Sequence, residues 1–166
     1  DIDLAPEANR EKIDELITDI YEPINNGVYK AGFATKQGPY DAAIDELFDA
    51  LDHYDELLAD QRFLAGDQLT EADICMFTTL IRFDHVYHTH FMCNVQYIHQ
   101  YDNLWPYLRD VYQQPGVADT VDIDHIKEHY TTHPDVTPHG IIARGPDLDF
   151  DAPHDRERLS SAATPQ

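Results

Sequence analysis

Lysine is nearly absent from this chain. It occurs only at Lys12, Lys30, Lys36 and Lys127, and arginine raises the basic total to just 11 residues against 32 acidic ones. The formal net charge is −21 over 166 residues. Such a surface repels nucleic acid and anionic membranes at ordinary salt, so neither is expected as a partner. Self-repulsion also opposes the compact state unless salt screens it. The charge therefore reads as adaptation to a salt-rich cytoplasm, as in halophiles. A calcium-binding role is disfavoured, because no loop has the regular Asp/Asn-Gly-Glu spacing of a calcium hand.

Other scarcities narrow the class further. Serine occurs only at Ser160 and Ser161, and no Gly-x-Ser-x-Gly elbow exists, which disfavours a Ser-His-Asp hydrolase. The two cysteines, Cys75 and Cys93, lie in apolar, helix-patterned context. They read as buried free thiols, not as a secreted disulfide framework. No apolar run approaches the length that spans a membrane, and the N-terminus is acidic, unlike a signal peptide. A cytoplasmic location is expected.

What is present is an order of helices. Pro6 opens the first, and Ile13, Leu16, Ile17 and Ile20 form a stripe at helical spacing. Pro23 and Asn25-Asn26-Gly27 are expected to break it, leaving Val28 to Ala34 as an irregular connection that carries Tyr29. Pro39 starts a second helix, whose stripe runs Ala43, Ile44, Leu47, Phe48, Leu51, Tyr54, Leu57 and Leu58. Asp45, Asp49, Asp52 and Asp55 fall on its wet side. Further helices are expected near Leu104 to Tyr112 and Asp122 to Tyr130. From Pro134 onward, prolines and glycines forbid long regular structure. The reading is an all-α helical bundle over residues 1–133, with an extended tail over 134–166 lying on the domain or on a partner. The last residues, 160–166, are expected to be disordered.

The strongest local signal is Gly66-Asp67-Gln68-Leu69-Thr70-Glu71-Ala72-Asp73-Ile74. Thr70 is placed as N-cap and Asp73 as the N3 partner of a capping box, with Leu69 and Ile74 as the hydrophobic staple. Asp73 is expected to serve stability, not catalysis. Thr79-Leu80-Ile81-Arg82-Phe83-Asp84 and Thr89-His90-Phe91-Met92-Cys93-Asn94 follow. Asn25 to Thr35, Leu108 to Gly116, and Thr120-Val121 with His125 to Tyr130 complete a set of five segments. In this order they resemble the C-terminal helical domain of glutathione S-transferases. The resemblance is specifically to the glutathionyl-hydroquinone reductases, the xi class.

The resemblance implies a fold, a reaction and a missing half. Family members pair this helical domain with a thioredoxin-like domain that binds glutathione and carries a nucleophilic Cys-Pro cysteine. Family members are dimers through the helical domain. The reaction takes a glutathionyl-hydroquinone and glutathione, or a related thiol, to free hydroquinone and a disulfide. This chain has no Cys-Pro: Met76 follows Cys75 and Asn94 follows Cys93. The resemblance thus implies the aromatic-substrate half of an enzyme, inactive alone, needing a thioredoxin-like domain on the same or another chain. The alternative is a stand-alone, non-catalytic interaction or oligomerisation module.

The resemblance assigns Tyr29 and Tyr130 to the wall of the aromatic-substrate pocket. Their chemistry suits the role, since a phenol hydrogen-bonds a quinol oxygen and offers a stacking face. Arg82 and Asp84 are expected to form a buried or half-buried ion pair that orders the central helix. Ten histidines include the i, i+4 pair His125 and His129 and the group His85, His88 and His90. No cysteine pair or His-Glu-x-x-His signature accompanies them, so no metal is expected.

Overall fold

The computed structural model describes residues 2–160. Residues 161–166, most of the segment expected to be disordered, lie outside the described residues. The architecture is all-α: seven α-helices are joined by 3₁₀ and π-helical turns, and no β-strand occurs among the described residues. They are α1 (Arg10–Ile20), α2 (Gly27–Gly32), α3 (Gln37–Leu57), α4 (Glu71–Arg82), α5 (His88–His90), α6 (Leu104–Tyr112) and α7 (Ile123–Thr131). A 3₁₀ turn over Glu7–Asn9 precedes α1, with Pro6 as its N-cap.

Pro23 does not break the first helix, contrary to expectation. The chain widens into a π-helical turn over Tyr21–Asn25, and Asn26 N–H donates to the Tyr21 carbonyl at 2.8 Å, five residues back. The wider turn accommodates a ring that an α-helix interior would reject. The helical path resumes as α2, so Tyr29 stands on a helix and not in an irregular connection.

The core is built on α3 and α4. The α3 residues Ala43, Ile44, Leu47, Phe48, Leu51 and Tyr54 are buried along one face. Each fully buried leucine there contributes about 1.5–3 kcal/mol of transfer free energy. Two of the aspartates on the opposite side also hold structure. Asp55 accepts from the Asn103 and Leu104 amides at 2.9 and 2.7 Å, which caps the start of α6, and Asp52 accepts from the Tyr101 hydroxyl at 3.0 Å.

Helix α4 runs through the centre, against α1 and α6. Both halves of the Thr70–Asp73 capping box are present at its start. The Thr70 amide donates to Asp73 Oδ2 at 2.8 Å. Gly66 takes a φ of +136°, closing a tight loop in which Phe63 and Gly66 exchange backbone hydrogen bonds. Beyond Arg82 the helix widens again into a π-helical turn, Phe83–Tyr87.

Arg82 and Asp84 do not form the expected ion pair. Arg82 Nη1 donates to the Thr78 carbonyl at 2.6 Å, one turn back on its own helix. Asp84 points the other way and accepts from the Ile98 and His99 amides and from His99 Nδ1, at 2.7, 3.0 and 2.8 Å. Adjacent turns of a helix set residues two apart on different faces, and the π-helical turn rotates Asp84 further.

The segment after α7 runs back over the domain. Phe150 is buried between Trp105 and Tyr112, with ring centroids 5.6 and 5.3 Å away. Gln113 Nε2 donates to the carbonyls of Phe150 and Ala152, both at 2.8 Å. Arg156 is fully buried, and its Nη2 donates to the carbonyls of Leu58, Gln61 and Arg62. That guanidinium ties the Leu58 carbonyl at the end of α3 to the loop that follows it.

Candidate aromatic-ligand site

Three tyrosines from three segments meet at their hydroxyls. Tyr29 comes from α2, Tyr87 from the π-helical turn after α4, and Tyr130 from α7. Tyr130 Oη lies 2.7 Å from both Tyr29 Oη and Tyr87 Oη, and Tyr29 and Tyr87 are 3.3 Å apart. The two site residues expected from the sequence are therefore hydrogen-bonded to each other, 101 positions apart in the chain.

Local sequence explains how the rings converge. Phe83, Tyr87 and Phe91 recur every four residues, and each ring touches the next, Phe83 meeting Tyr87 edge-on. Tyr87 lies nearly parallel to Phe91, with centroids 5.3 Å apart, and meets Tyr130 edge-on at 5.6 Å. Gly32 lets α2 approach: a Cβ there would stand 2.8 Å from Phe91 Cβ and closer still to its ring. Only glycine permits that contact without displacing the aromatic wall.

The hydroxyl cluster borders a cleft of about 580 Å³, lined also by Tyr21, Asn25, Ile74, Cys75, Thr78, Thr79, Arg82 and His129. A smaller aromatic recess of about 220 Å³ opens beside it, against Phe33, Phe91 and His133. Apolar walls with a few converging polar groups are the usual make-up of a small-molecule site. Asn25 Nδ2 is already committed, donating to the Cys75 carbonyl and to Thr79 Oγ1 at 2.9 and 2.7 Å.

Burial keeps Tyr87 and Tyr130 protonated. Burial, reinforced by hydrogen bonds to its two neighbours, pushes Tyr87 far above the ordinary phenol range. Burial also pushes Tyr130 up to about 12. These tyrosines act as neutral hydrogen-bonding groups at physiological pH.

The surroundings of both cysteines disfavour the thiolate. Cys93 is buried, and burial pushes its thiol up to about 12. Cys75 lines the cleft, but burial and then the charge of Glu71 raise its thiol as well. A reactive cysteine shows the opposite shift. The histidine pair divides: His129 faces the tyrosine cleft, and His125 lines a separate groove with Val117, Val121 and Ile126. Among the described residues, no group of three His, Cys, Asp or Glu side chains is placed to hold a metal ion.

Tyr87 was not singled out by its sequence, where it reads as one more apolar-face residue of a helix. The four-residue spacing of Phe83, Tyr87 and Phe91 is the signal that places a phenol among stacked rings.

Comparison with known proteins bears on the fold. Residues 37–110 match the family model described as glutathione S-transferase, C-terminal domain. A solved structure of a Xi-class transferase from Natrialba magadii, a halophile, is 72% identical and superposes with a TM-score of 0.93. The chain carries a glutathione S-transferase C-terminal domain similar to that of Xi-class proteins. The Natrialba alignment covers 95% of this chain and 49% of that one. Glutathionyl-hydroquinone reductase YqjG of Escherichia coli is 52% identical over 93% of this chain and 48% of its own length. A glutathione-bound structure of YqjG superposes with a TM-score of 0.90, covering 93% of this chain and 51% of that one. The chain thus spans about half the length of the relatives it matches. No helix among its described residues is long and apolar enough to cross a membrane.

Proposed function

We propose that this chain is the aromatic-substrate half of an enzyme that reduces glutathionyl-hydroquinones with a thiol, glutathione or a relative. One observation carries the reading: the Tyr29–Tyr87–Tyr130 hydroxyl cluster sits at the edge of an aromatic-walled cleft, in a chain related to a glutathionyl-hydroquinone reductase. The helical domain ends at residue 133 in this reading, and residues 134–160 strap it.

In the reaction, an enzyme thiolate attacks the sulfur of the glutathionyl group. The sulfur–carbon bond to the ring breaks, the ring carbon takes up a proton, and free hydroquinone leaves. A protein–glutathione disulfide remains. A second thiol attacks it, releasing glutathione disulfide and restoring the enzyme thiol. Tyr29 and Tyr130 line the pocket, the Tyr29 hydroxyl bonding a ring oxygen and Tyr130 bonding Tyr29, while the rings of the recess stack on the ligand's face.

Cys75 and Cys93 do not fit the thiolate role, since burial raises both. A thioredoxin-like domain supplies the nucleophile and the main thiol site in this reading, and pairing of two helical domains gives a homodimer. The test is an assay of this chain in high salt with a glutathionyl-hydroquinone and glutathione. No thiol-dependent release of hydroquinone is expected until a thioredoxin-like half is added. Turnover by the chain alone would overturn this division of labour.

A further inference from the structure

Three hydroxyls share three protons across unequal edges. The contacts Tyr87–Tyr130 and Tyr29–Tyr130 are both 2.7 Å, and Tyr29–Tyr87 is 3.3 Å. Tyr130 stands at the corner of the two short contacts. A relay through Tyr130 has it donate along one short contact and accept along the other.

Two proton orders satisfy that condition. In the first, Tyr87 donates to Tyr130 and Tyr130 donates to Tyr29. In the second, the direction runs from Tyr29 through Tyr130 to Tyr87. They differ in where the last proton sits. The first leaves it on Tyr29, which is 36% exposed at the cleft. The second leaves it on Tyr87, which is 3% exposed and has only the long contact left to use. An acceptor oxygen entering the cleft meets a free O–H only in the first order. In the second, Tyr29 must first give up a 2.7 Å hydrogen bond.

We propose that Tyr87 is a positioning residue: its buried hydroxyl donates to Tyr130, which turns Tyr130 onto Tyr29 and frees the Tyr29 O–H for an acceptor oxygen of the ligand. The fitting ligand class is a quinone-type ring with a carbonyl or other acceptor oxygen, so the inference rests on the function proposed above. Hydrogen bonds in a chain polarise one another, so donation from Tyr87 makes the last O–H a stronger donor. Packing fixes the start of the chain, because the Tyr87 ring is held between Phe91 and Phe83. A hydroxyl buried this deeply without an acceptor is costly, which favours its donation to Tyr130.

Two measurements test this. The first is proton NMR of the tyrosine hydroxyls in the full chain at high salt, with no ligand. Slow water exchange at the Tyr87 and Tyr130 hydroxyl protons, with fast exchange at Tyr29, is expected. A slowly exchanging Tyr29 proton with a fast Tyr87 proton would overturn the order. The second compares duroquinone with durene, the same ring without the two oxygens, in the native chain and in Tyr87→Phe. The substitution should weaken duroquinone binding about fivefold, the scale of one hydrogen bond, and leave durene unchanged. Equal losses for both ligands would reduce Tyr87 to packing, and an unchanged duroquinone affinity would also contradict the proposal. If Tyr87→Phe fails to fold, the NMR result on the native chain decides. If the native chain binds neither ligand, the quinone reading fails, and the proton order stands or falls on NMR alone.

Discussion

Tyr107 donates its buried hydroxyl to Asp73 Oδ1 at 2.8 Å. The same carboxylate accepts from the Leu64 amide at 2.9 Å and from the amide and hydroxyl of Thr70 at 2.8 and 3.2 Å. One side chain thus ties the start of α4 to the preceding loop and to α6. Asp73→Ala should lower stability by about 3 kcal/mol, because it orphans several buried donors. Tyr107→Phe should cost about 1–2 kcal/mol. Burial raises the Asp73 pKa despite these hydrogen bonds. The native state therefore binds this proton more tightly than the unfolded state. Its contribution is fully present below the ordinary carboxylate pKa and is lost as pH rises through the elevated native value. Denaturant midpoints in high salt check the energies, and Asp73→Asn should abolish that part of the pH slope.

The net charge of −21 predicts a stability that depends on salt. The melting temperature should rise as KCl is added, mostly before about 1 M, where the screening length falls to about 3 Å. A scan of thermal unfolding against KCl at neutral pH checks this. A melting temperature independent of salt would mean that self-repulsion is not what limits the fold.

Thiol reactivity should separate the two cysteines. Cys93 is fully buried with its thiol pushed up to about 12, so it should resist a disulfide reagent at pH 8 in the native state. Cys75, half-buried at the cleft, should react slowly, and a ligand in the cleft should slow it further. Both should react at once in denaturant. Mass spectrometry of the labelled chain reads each site.

Gly32→Ala should damage the site by pushing on its wall. The added Cβ overlaps Phe91, which stacks on Tyr87. A destabilisation of about 1–3 kcal/mol is expected, with a larger loss of aromatic-ligand affinity than a distant surface substitution gives. Unfolding midpoints and ligand titration together check it.

Local rules made much of this molecule legible. The capping box needs only Thr70 and Asp73 at the right spacing, and the α3 stripe needs only its period. Tyr29 and Tyr130 came from resemblance, because nothing local marks two tyrosines among ten. What escaped depended on distant partners. Asp55 looked solvent-facing on its own helix, yet it caps α6 from across the fold. Arg156 lay in a proline-interrupted tail but is buried against the end of α3. The π-helical turns at Tyr21–Asn25 and Phe83–Tyr87 hid the true orientation of Tyr29 and Asp84, since an α-helical wheel misplaces every residue beyond a wider turn.

The central claim is that the tyrosine cleft binds an aromatic quinol-type ligand. The most direct measurement is calorimetric titration of a stable hydroquinone analogue into the native chain, Tyr29→Phe and Tyr130→Phe in high salt. The account predicts saturable binding to the native chain, weakened about tenfold or more by either substitution, with both variants folded. Unchanged affinity in both variants, or no binding by the native chain, would contradict it.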